Sequence, residues 1–559
     1  MSARRVTVAD GLGSLAAELR RRADTDGADE IALRFSDGGG AGATSAWSWA
    51  DAWEQARRVA AALREDGIRA GDRLLVVAPD VRAAVAAHFG AWALGAVPIH
   101  QGLPYRLADP MAFIGELRAT AWRLGCVGLL ASRAVVPFAR AAPGERVWSI
   151  DALLAEEVPG DVAPDAVAAP PLLQLTSGST GAPRAVAIPH DRLCLHLELI
   201  AERLPAGDDA AGVTWLPLFH DMGLIGGLLY PFYTRFPVHV LSPAAFQSSP
   251  FGWLEALDAA RATHTAAPPS AYAAVARLAR RAADAGLRLD RLRCAMIGAE
   301  PISPRLLRGF ADAFAPCGFR AEAFFPVYGL AEATVAVTFP RPLAPARVER
   351  LDRARLAADG VAVAAPGEDA DALEVTGVGT PLRGTEVRVV DARGAEVDER
   401  VVGELLVRSP TLMAGYDGEP TATAAVLAGG WLRTGDLGFV AGGEVFITGR
   451  KKDVIIRAGH NVYPEPLEAL AGEVPGARPG CVAVVGVRDA RHETERVVVV
   501  VETKLDAAAW PDLAARVREA LRARGTVVDE VRPVRAGTLP KTTSGKLRRR
   551  EVAASLAAG

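Results

Sequence analysis

A chain of 559 residues, half of them apolar and 23% charged, has material for two to four domains with large cores and is not globally disordered. A net charge of −3 gives no footing to a nucleic-acid or polybasic membrane binder. Five cysteines (Cys126, Cys194, Cys294, Cys317, Cys481) without paired spacing exclude a disulfide framework and argue against a zinc cluster.

The N-terminus carries no apolar signal core, so a cytoplasmic protein is expected. From Trp49 to Asp66 the Ala/Arg/Leu spacing is helical; Gly71 to Pro79 reads as a turn and a short apolar strand. Ala83 to Leu94 is helical again, and Ala96 to Ile99 is apolar. This alternation predicts parallel sheet covered by helices. Pro159 to Pro171 reads as a linker or surface loop. The richest apolar stretch, Met222 to Tyr233, is short and holds Gly and Pro, so it reads as buried core and no membrane span is expected. Residues 341–385 look like an irregular excursion, and strand-like pieces follow at Glu386–Val390 and Gly403–Val407. A smaller unit begins after Gly449, with strands at Val482–Val485 and Arg496–Val501 and a helix over Ala507–Arg524.

Lysine occurs five times against 58 arginines, and four of the five are Lys451, Lys452, Lys541 and Lys546. Either codon bias clustered them by chance, or these positions need an ammonium point charge that a forked guanidinium does not imitate. The strongest local signal is Thr176-Ser177-Gly178-Ser179-Thr180-Gly181, entered from apolar residues and followed by Arg184. Its glycines permit unusual backbone angles, successive N–H groups form an anion nest, and the hydroxyls add donors for phosphate oxygens. The alternative is a Ser/Gly hairpin loop. It is not a Walker A loop, since no Gly-Lys-Ser/Thr closes it.

Thr176 to Arg184 resembles the phosphate loop of the acyl-adenylate-forming enzymes, which include acyl-CoA synthetases, luciferases, nonribosomal peptide adenylation domains and fatty acyl-AMP ligases. Five further segments follow in the family's order. Gly298-Ala299-Glu300-Pro301 resembles the segment lining adenine, and Val327 to Ala333 the motif whose glutamate, here Glu332, holds Mg²⁺. Thr434-Gly435-Asp436 resembles the ribose motif, Thr448 to Asp453 the interdomain hinge, and Pro540 to Lys546 the terminal lysine motif. The family's phosphate loop usually ends in lysine; Arg184 stands there instead, which keeps the cation and alters its geometry.

The resemblance implies an α/β fold: a large N-terminal domain of two α/β layers plus a β-barrel-like part (1–449), hinged to a small α+β C-terminal domain (450–559). It implies ATP and Mg²⁺ as cofactors. A carboxylate must attack the α-phosphate and expel pyrophosphate, so positive charge has to be concentrated where two anions meet. Lys546, in a small-residue loop, is the catalytic candidate; its alternative is a basic tail. Asp436 suits the two ribose hydroxyls or, failing that, an Asx turn. Arg450 is placed near the ribose and Lys452 at the hinge. Tyr328, followed by Gly329, is placed against adenine or in the core.

The acceptor candidates are coenzyme A, a carrier-protein pantetheine thiol and an amine. Phe219-His220-Asp221-Met222-Gly223-Leu224 resembles the fatty acyl-AMP ligases, which places His220 at the acyl-pocket mouth; the alternative is a core histidine. The excursion at 341–380 falls where those ligases carry a segment that restrains the small domain, though it also reads as a tolerated surface insertion. The favoured expectation is acyl transfer from acyl-AMP to a phosphopantetheinylated acyl carrier protein. An acyl-CoA synthetase is the first alternative and a degenerate adenylate-binding protein the second. The identity of the acid is not legible.

Overall fold

The computed structural model describes residues 14–25, 27–36, 45–103, 110–140, 146–156, 162–163, 171–176, 183–367, 372–457, 460–489, 494–523, 526–542 and 546–558. Most of the expected linker at 159–171 lies outside them.

Two parallel sheets organise the first 340 residues. One has four strands in the spatial order Val97–His100, Arg73–Val77, Cys126–Ala131, Val147–Ser149. The other has seven, running from Phe324–Pro326 through Cys294–Ile297, His264–Ala267, Gly212–Thr214, Val238–Leu241 and Ile31–Ser36 to an antiparallel edge at Ser45–Ser48. Helices pack between and around them, as the alternating pattern predicts.

Local chemistry sets the helix starts. Helix Trp49–Glu65 begins at a capping box: Ser48 Oγ accepts the Asp51 N–H at 3.1 Å, and the Asp51 carboxylate accepts the Ser48 N–H at 2.9 Å. Helix Val81–Ala93 is buried along nearly its whole length, which suits a sequence of Ala, Val, Phe and Trp with one arginine. The stretch Met222–Tyr233 is buried core as expected, but its backbone is a π-helix over Met222–Leu229 continued by an α-helix over Tyr230–Thr234. Such wide turns occur mostly beside functional sites.

An antiparallel hairpin, Leu172–Thr176 and Arg184–Ile188, joins the short strand Gly415–Tyr416. The barrel-like part is an antiparallel sheet of Glu386–Val390, Gly403–Arg408, Trp431–Ala441, Leu427–Ala428 and Glu444–Arg450.

The excursion is more regular than its composition suggests. Val348–Leu351 pairs with Leu373–Thr376, and a helix over Arg353–Asp359 lies between them. Leu351, Leu356, Ala362 and Val375 form a small core against Phe439, Ala441 and Phe446 of the barrel-like sheet. Polar contacts fasten it further: Thr376 Oγ1 donates to the Ile302 carbonyl at 2.8 Å, and Arg308 pairs with Glu374 at 2.7 Å. The helix Arg353–Asp359 lies alongside the strand His460–Val462.

Among the described residues, the strands beyond residue 454 pair among themselves. Ile455–Arg457 pairs with His460–Val462, and Ala477–Asp489, Thr494–Thr503 and Glu530–Arg535 form a mixed sheet. Helices Pro464–Gly472 and Trp510–Arg522 cover one face around Val482, Val499 and Leu513. The terminal helix Arg549–Ala558 sits over the other, with Val552 in contact with Ala483 and Val500. Among the described residues no helix is long and apolar enough to cross a membrane.

Candidate active site

The antiparallel register of Trp431–Ala441 on Glu444–Arg450 sets Asp436 opposite Arg450. The Asp436 carboxylate meets Arg450 Nε at 2.8 Å through one oxygen and accepts the Tyr328 hydroxyl at 2.8 Å through the other. Its backbone N–H donates to Thr434 Oγ1 at 3.0 Å, and that hydroxyl donates to the Leu405 carbonyl at 2.8 Å. Burial, then the Asp436 charge, holds the Tyr328 phenol well above its usual range, so it remains a donor. Each carboxylate oxygen keeps a second acceptor site, and two sites on one rigid group match a vicinal diol.

Gly298 ends the strand Cys294–Ile297 and passes close to Val327: a Cβ there would stand 2.8 Å from Val327 Cγ2. Ala299 adopts a left-handed conformation, φ 67°, and the Glu300 carboxylate accepts the N–H and hydroxyl of Ser270, each at 3.0 Å. Pro301 follows directly in the chain. Gly329 is the tightest crossing, since a Cβ would come within 1.7 Å of the Val335 carbonyl oxygen. The loop carrying Glu332 is fastened from behind. Thr334 is fully buried at φ 70°, a strained setting for a β-branched residue, and its hydroxyl donates to the Thr411 carbonyl at 2.6 Å. His196 Nε2 accepts the Ala336 N–H at 3.1 Å, which makes Nδ1 the donor to Thr411 Oγ1 at 2.9 Å. Burial pushes this imidazole down to about 3, so the neutral tautomer persists.

Glu332 Oε1 accepts the Tyr416 hydroxyl at 2.8 Å. The Arg184 guanidinium stands 5.1 Å over the Tyr416 ring and 3.2 Å from Glu419. Glu419, Arg184, Tyr416 and Glu332 thus form a chain from the exit of the phosphate hairpin to the motif carboxylate. The Arg184–Glu419 pair is well exposed, so it is weak and yields to a competing anion. Thr176 and Arg184 are register partners and frame the phosphate loop. Ser177, Gly178, Ser179, Thr180 and Gly181 lie outside the described residues.

His220 Nδ1 lies 2.7 Å from Asp221 Oδ1, and the same oxygen accepts the Met222 N–H at 2.7 Å at the head of the π-helix. Burial alone would raise the Asp221 carboxyl, but His220, Lys546 and that N–H together hold it below the usual range. The Lys546 loop is closed by its own backbone. Thr542 N–H donates to the Lys546 carbonyl at 2.8 Å, and Lys546 N–H donates to Thr542 Oγ1 at 3.0 Å. Burial, then Arg450, lowers the Lys546 ammonium below the ordinary lysine range, while Asp221, Glu300 and Asp436 oppose the shift. Residues from distant parts of the chain are therefore within electrostatic reach of one another: Lys546 feels the charges of Arg450 and Asp436, of Glu300 and of Asp221 beside His220. Lys452 is exposed in the turn just past Arg450, where Asp453 N–H donates to the Arg450 carbonyl at 3.0 Å.

Asp221, Tyr416 and Glu419 are the site residues that sequence reasoning did not single out. Asp221 had a signal, being the neighbour of His220; Tyr416 and Glu419 reach the site only through the pairing of Gly415–Tyr416 with Arg184–Ile188.

Residues 19–417 match the AMP-binding enzyme family. The chain belongs to that family. Among its relatives, the medium-chain-fatty-acid–[acyl-carrier-protein] ligase JamA of Moorena producens is 36% identical over 394 residues, covering 67% of this chain and 66% of that one. A Mycobacterium tuberculosis protein named as a fatty-acid–CoA ligase, fadD25, is 31% identical over 579 residues, covering 96% of both. Among solved structures, one from a study of fatty acyl-adenylate ligases from E. coli and L. pneumophila superposes with a TM-score of 0.88 at 28% identity over 98% of both chains. The two-part adenylate-forming architecture expected from the motifs is the one found.

Proposed function

We propose that this chain activates a fatty acid with ATP and passes the acyl group to the phosphopantetheine thiol of an acyl carrier protein. In the first step a carboxylate oxygen attacks the α-phosphorus, the bond to the bridging oxygen breaks, and pyrophosphate leaves with the electron pair. The phosphate loop from Thr176 to Gly181 and Arg184 hold the departing phosphates. Asp436 and Arg450 take the ribose; Gly298 to Pro301, Tyr328 and Gly329 line the adenine. Lys546 supplies positive charge where the acyl and phosphate oxygens converge. His220, oriented by Asp221, stands at the acyl-pocket mouth. In the second step the thiol sulfur attacks the acyl carbon and AMP departs, after a turn about Lys452 that carries residues 450–559 as a mobile domain against 1–449. We place the reaction in the cytoplasm.

Glu332 suits Mg²⁺: it presents a hard oxygen whose companion is held by Tyr416. Among the described residues no three His, Cys, Asp or Glu side chains converge as a metal cage. When bound, Mg²⁺ neutralises phosphate charge. Glu332→Gln keeps the shape and removes the charge. It is expected to raise the Mg²⁺ concentration for half-maximal pyrophosphate release by about tenfold, and Tyr416→Phe by less, consistent with one charge-assisted contact. An unchanged Mg²⁺ titration in Glu332→Gln counts against the assignment.

The observation that carries the choice of acceptor is the folded excursion. It is fastened to the barrel-like sheet by its own core and lies against His460–Val462 of the small part. A body so placed restrains rotation, and a carrier protein adds surface binding energy that free CoA lacks. One labelled acid assayed with both acceptors is expected to give acyl-AMP and acyl-carrier protein in quantity and little acyl-CoA. Replacing residues 353–372 by a short turn between the hairpin strands keeps the hairpin, removes the helix, and is expected to raise acyl-CoA yield. Abundant acyl-CoA from the unaltered protein favours the CoA reading instead.

A further inference from the structure

Three residues beyond Lys546 the chain enters its terminal helix, and the first residue of that helix, Arg549, is built into a cluster the reaction does not use. Its fork is fully engaged. Nε and Nη2 meet the two oxygens of Glu468 at 2.8 and 2.7 Å, and Nη1 meets Asp453 Oδ2 at 2.7 Å and Glu465 Oε1 at 3.3 Å. All four side chains are largely withdrawn from water, Arg549 at 17% and the three acids at 8 to 13%. Glu465 and Glu468 belong to helix Pro464–Gly472, and Asp453 to the turn that leaves the strand Glu444–Arg450 beside Lys452. Glu468 Oε1 also accepts the Val484 N–H at 3.0 Å, which extends the anchorage into the central sheet.

Such a cluster is a costly way to gain stability, since desolvating four charges consumes most of what their attraction returns. What it provides is geometry: a planar, bidentate grip sets distance and orientation together. The segment it grips is the one that delivers the lysine. The two described ends of the segment that carries the lysine are tied together, with Arg548 N–H donating to the Pro540 carbonyl at 3.0 Å, so fixing Arg549 fixes those ends.

We propose that Arg549 is a positioning residue for adenylation: by clasping the hinge turn and helix Pro464–Gly472 at once, it makes the hinge and the Lys546 loop a single rigid body, so that the lysine arrives in register with the cleft. Burial pushes the Glu465 carboxyl up to about 7 against the pull of Arg549, which eases the crowding of three carboxylates on one guanidinium. The inference rests on the role given to Lys546 above.

The test compares half-reactions in the full chain. Arg549→Ala is expected to slow pyrophosphate release by about 10- to 100-fold, the loss that a misplacement of about 1 Å produces. Transfer from supplied acyl-AMP to the carrier protein is expected to change by less than about threefold, because Lys546 takes no part in it. Arg549→Lys, which keeps the charge and loses the fork, is expected to restore little. The decisive comparison is the double variant: if Arg549 acts through Lys546, Lys546→Ala with Arg549→Ala is no slower than Lys546→Ala alone. Additive losses, an equal fall in both half-reactions, or an unaffected adenylation rate overturn the proposal. A Lys546→Ala protein that adenylates normally removes the lysine's role and this inference with it, whereas a slow Lys546→Ala beside a normal Arg549→Ala removes this inference alone. Should Arg549→Ala not fold, Asp453→Asn and Glu468→Gln, each releasing one arm of the clasp, carry the same comparison.

Discussion

Lys546→Ala is expected to slow acyl-adenylate formation by about 100-fold or more, on the order of 3 kcal/mol of transition-state stabilisation. The ammonium is withdrawn from water and feels both Asp221 beside His220 and Asp436 beside Arg450, so screening of its charge is reduced. Because burial and Arg450 depress its pKa, the ammonium is fully present below the depressed value and is lost as pH rises through it. Pyrophosphate release should therefore fall at a pH below the ordinary lysine range, and Lys546→Ala should lack that limb. Transfer from preformed acyl-AMP should survive. Single-turnover measurement of both half-reactions across pH checks all three points, and a variant that forms acyl-adenylate at the normal rate refutes the role.

The second large effect is expected at Asp436. Asp436→Asn is nearly isosteric, so the strand register and the Thr434 contact persist while the charge facing Arg450 and Tyr328 disappears. One oxygen becomes an NH₂ donor, which cannot accept from a ribose hydroxyl and meets the Arg450 or Tyr328 donor head-on. Losing a charge-assisted acceptor costs about 1.5 to 3 kcal/mol, so AMP affinity and the KM for ATP should weaken by about 10- to 150-fold. The acid KM should move far less, since the partners of Asp436 among the described residues are Arg450, Tyr328 and Thr434, not His220 or Asp221. Calorimetric titration with AMP decides: unchanged affinity excludes Asp436 from the ribose site.

How much of this was legible in sequence differs from element to element. The helices at Trp49–Glu65 and Val81–Ala93 and the strand at Arg73–Val77 follow from local periodicity and caps, which act within a few residues. The excursion was misread as irregular because its strands, Val348–Leu351 and Leu373–Thr376, are short and half-exposed and owe their order to Phe439 and Phe446 far along the chain. The π-helix at Met222–Leu229 could not be distinguished from an α-helix by composition, because apolar residues and glycines satisfy either pitch.

By itself the sequence determined the fold class and the family, and it named candidates for the site. Motif order and residue chemistry are one-dimensional properties, and they can be read along the chain before any contact is known. The tertiary structure alone decided which of those residues face one another. Lys546 and Asp221 lie more than 300 positions apart, and only the docking of the small part on the large one lets each feel the other's charge. Tyr416 enters the site through a two-residue strand, and Arg549 collects three carboxylates from two separate elements. Such contacts depend on packing across the whole chain, where hydrophobic burial chooses the arrangement and the polar groups are then matched within it.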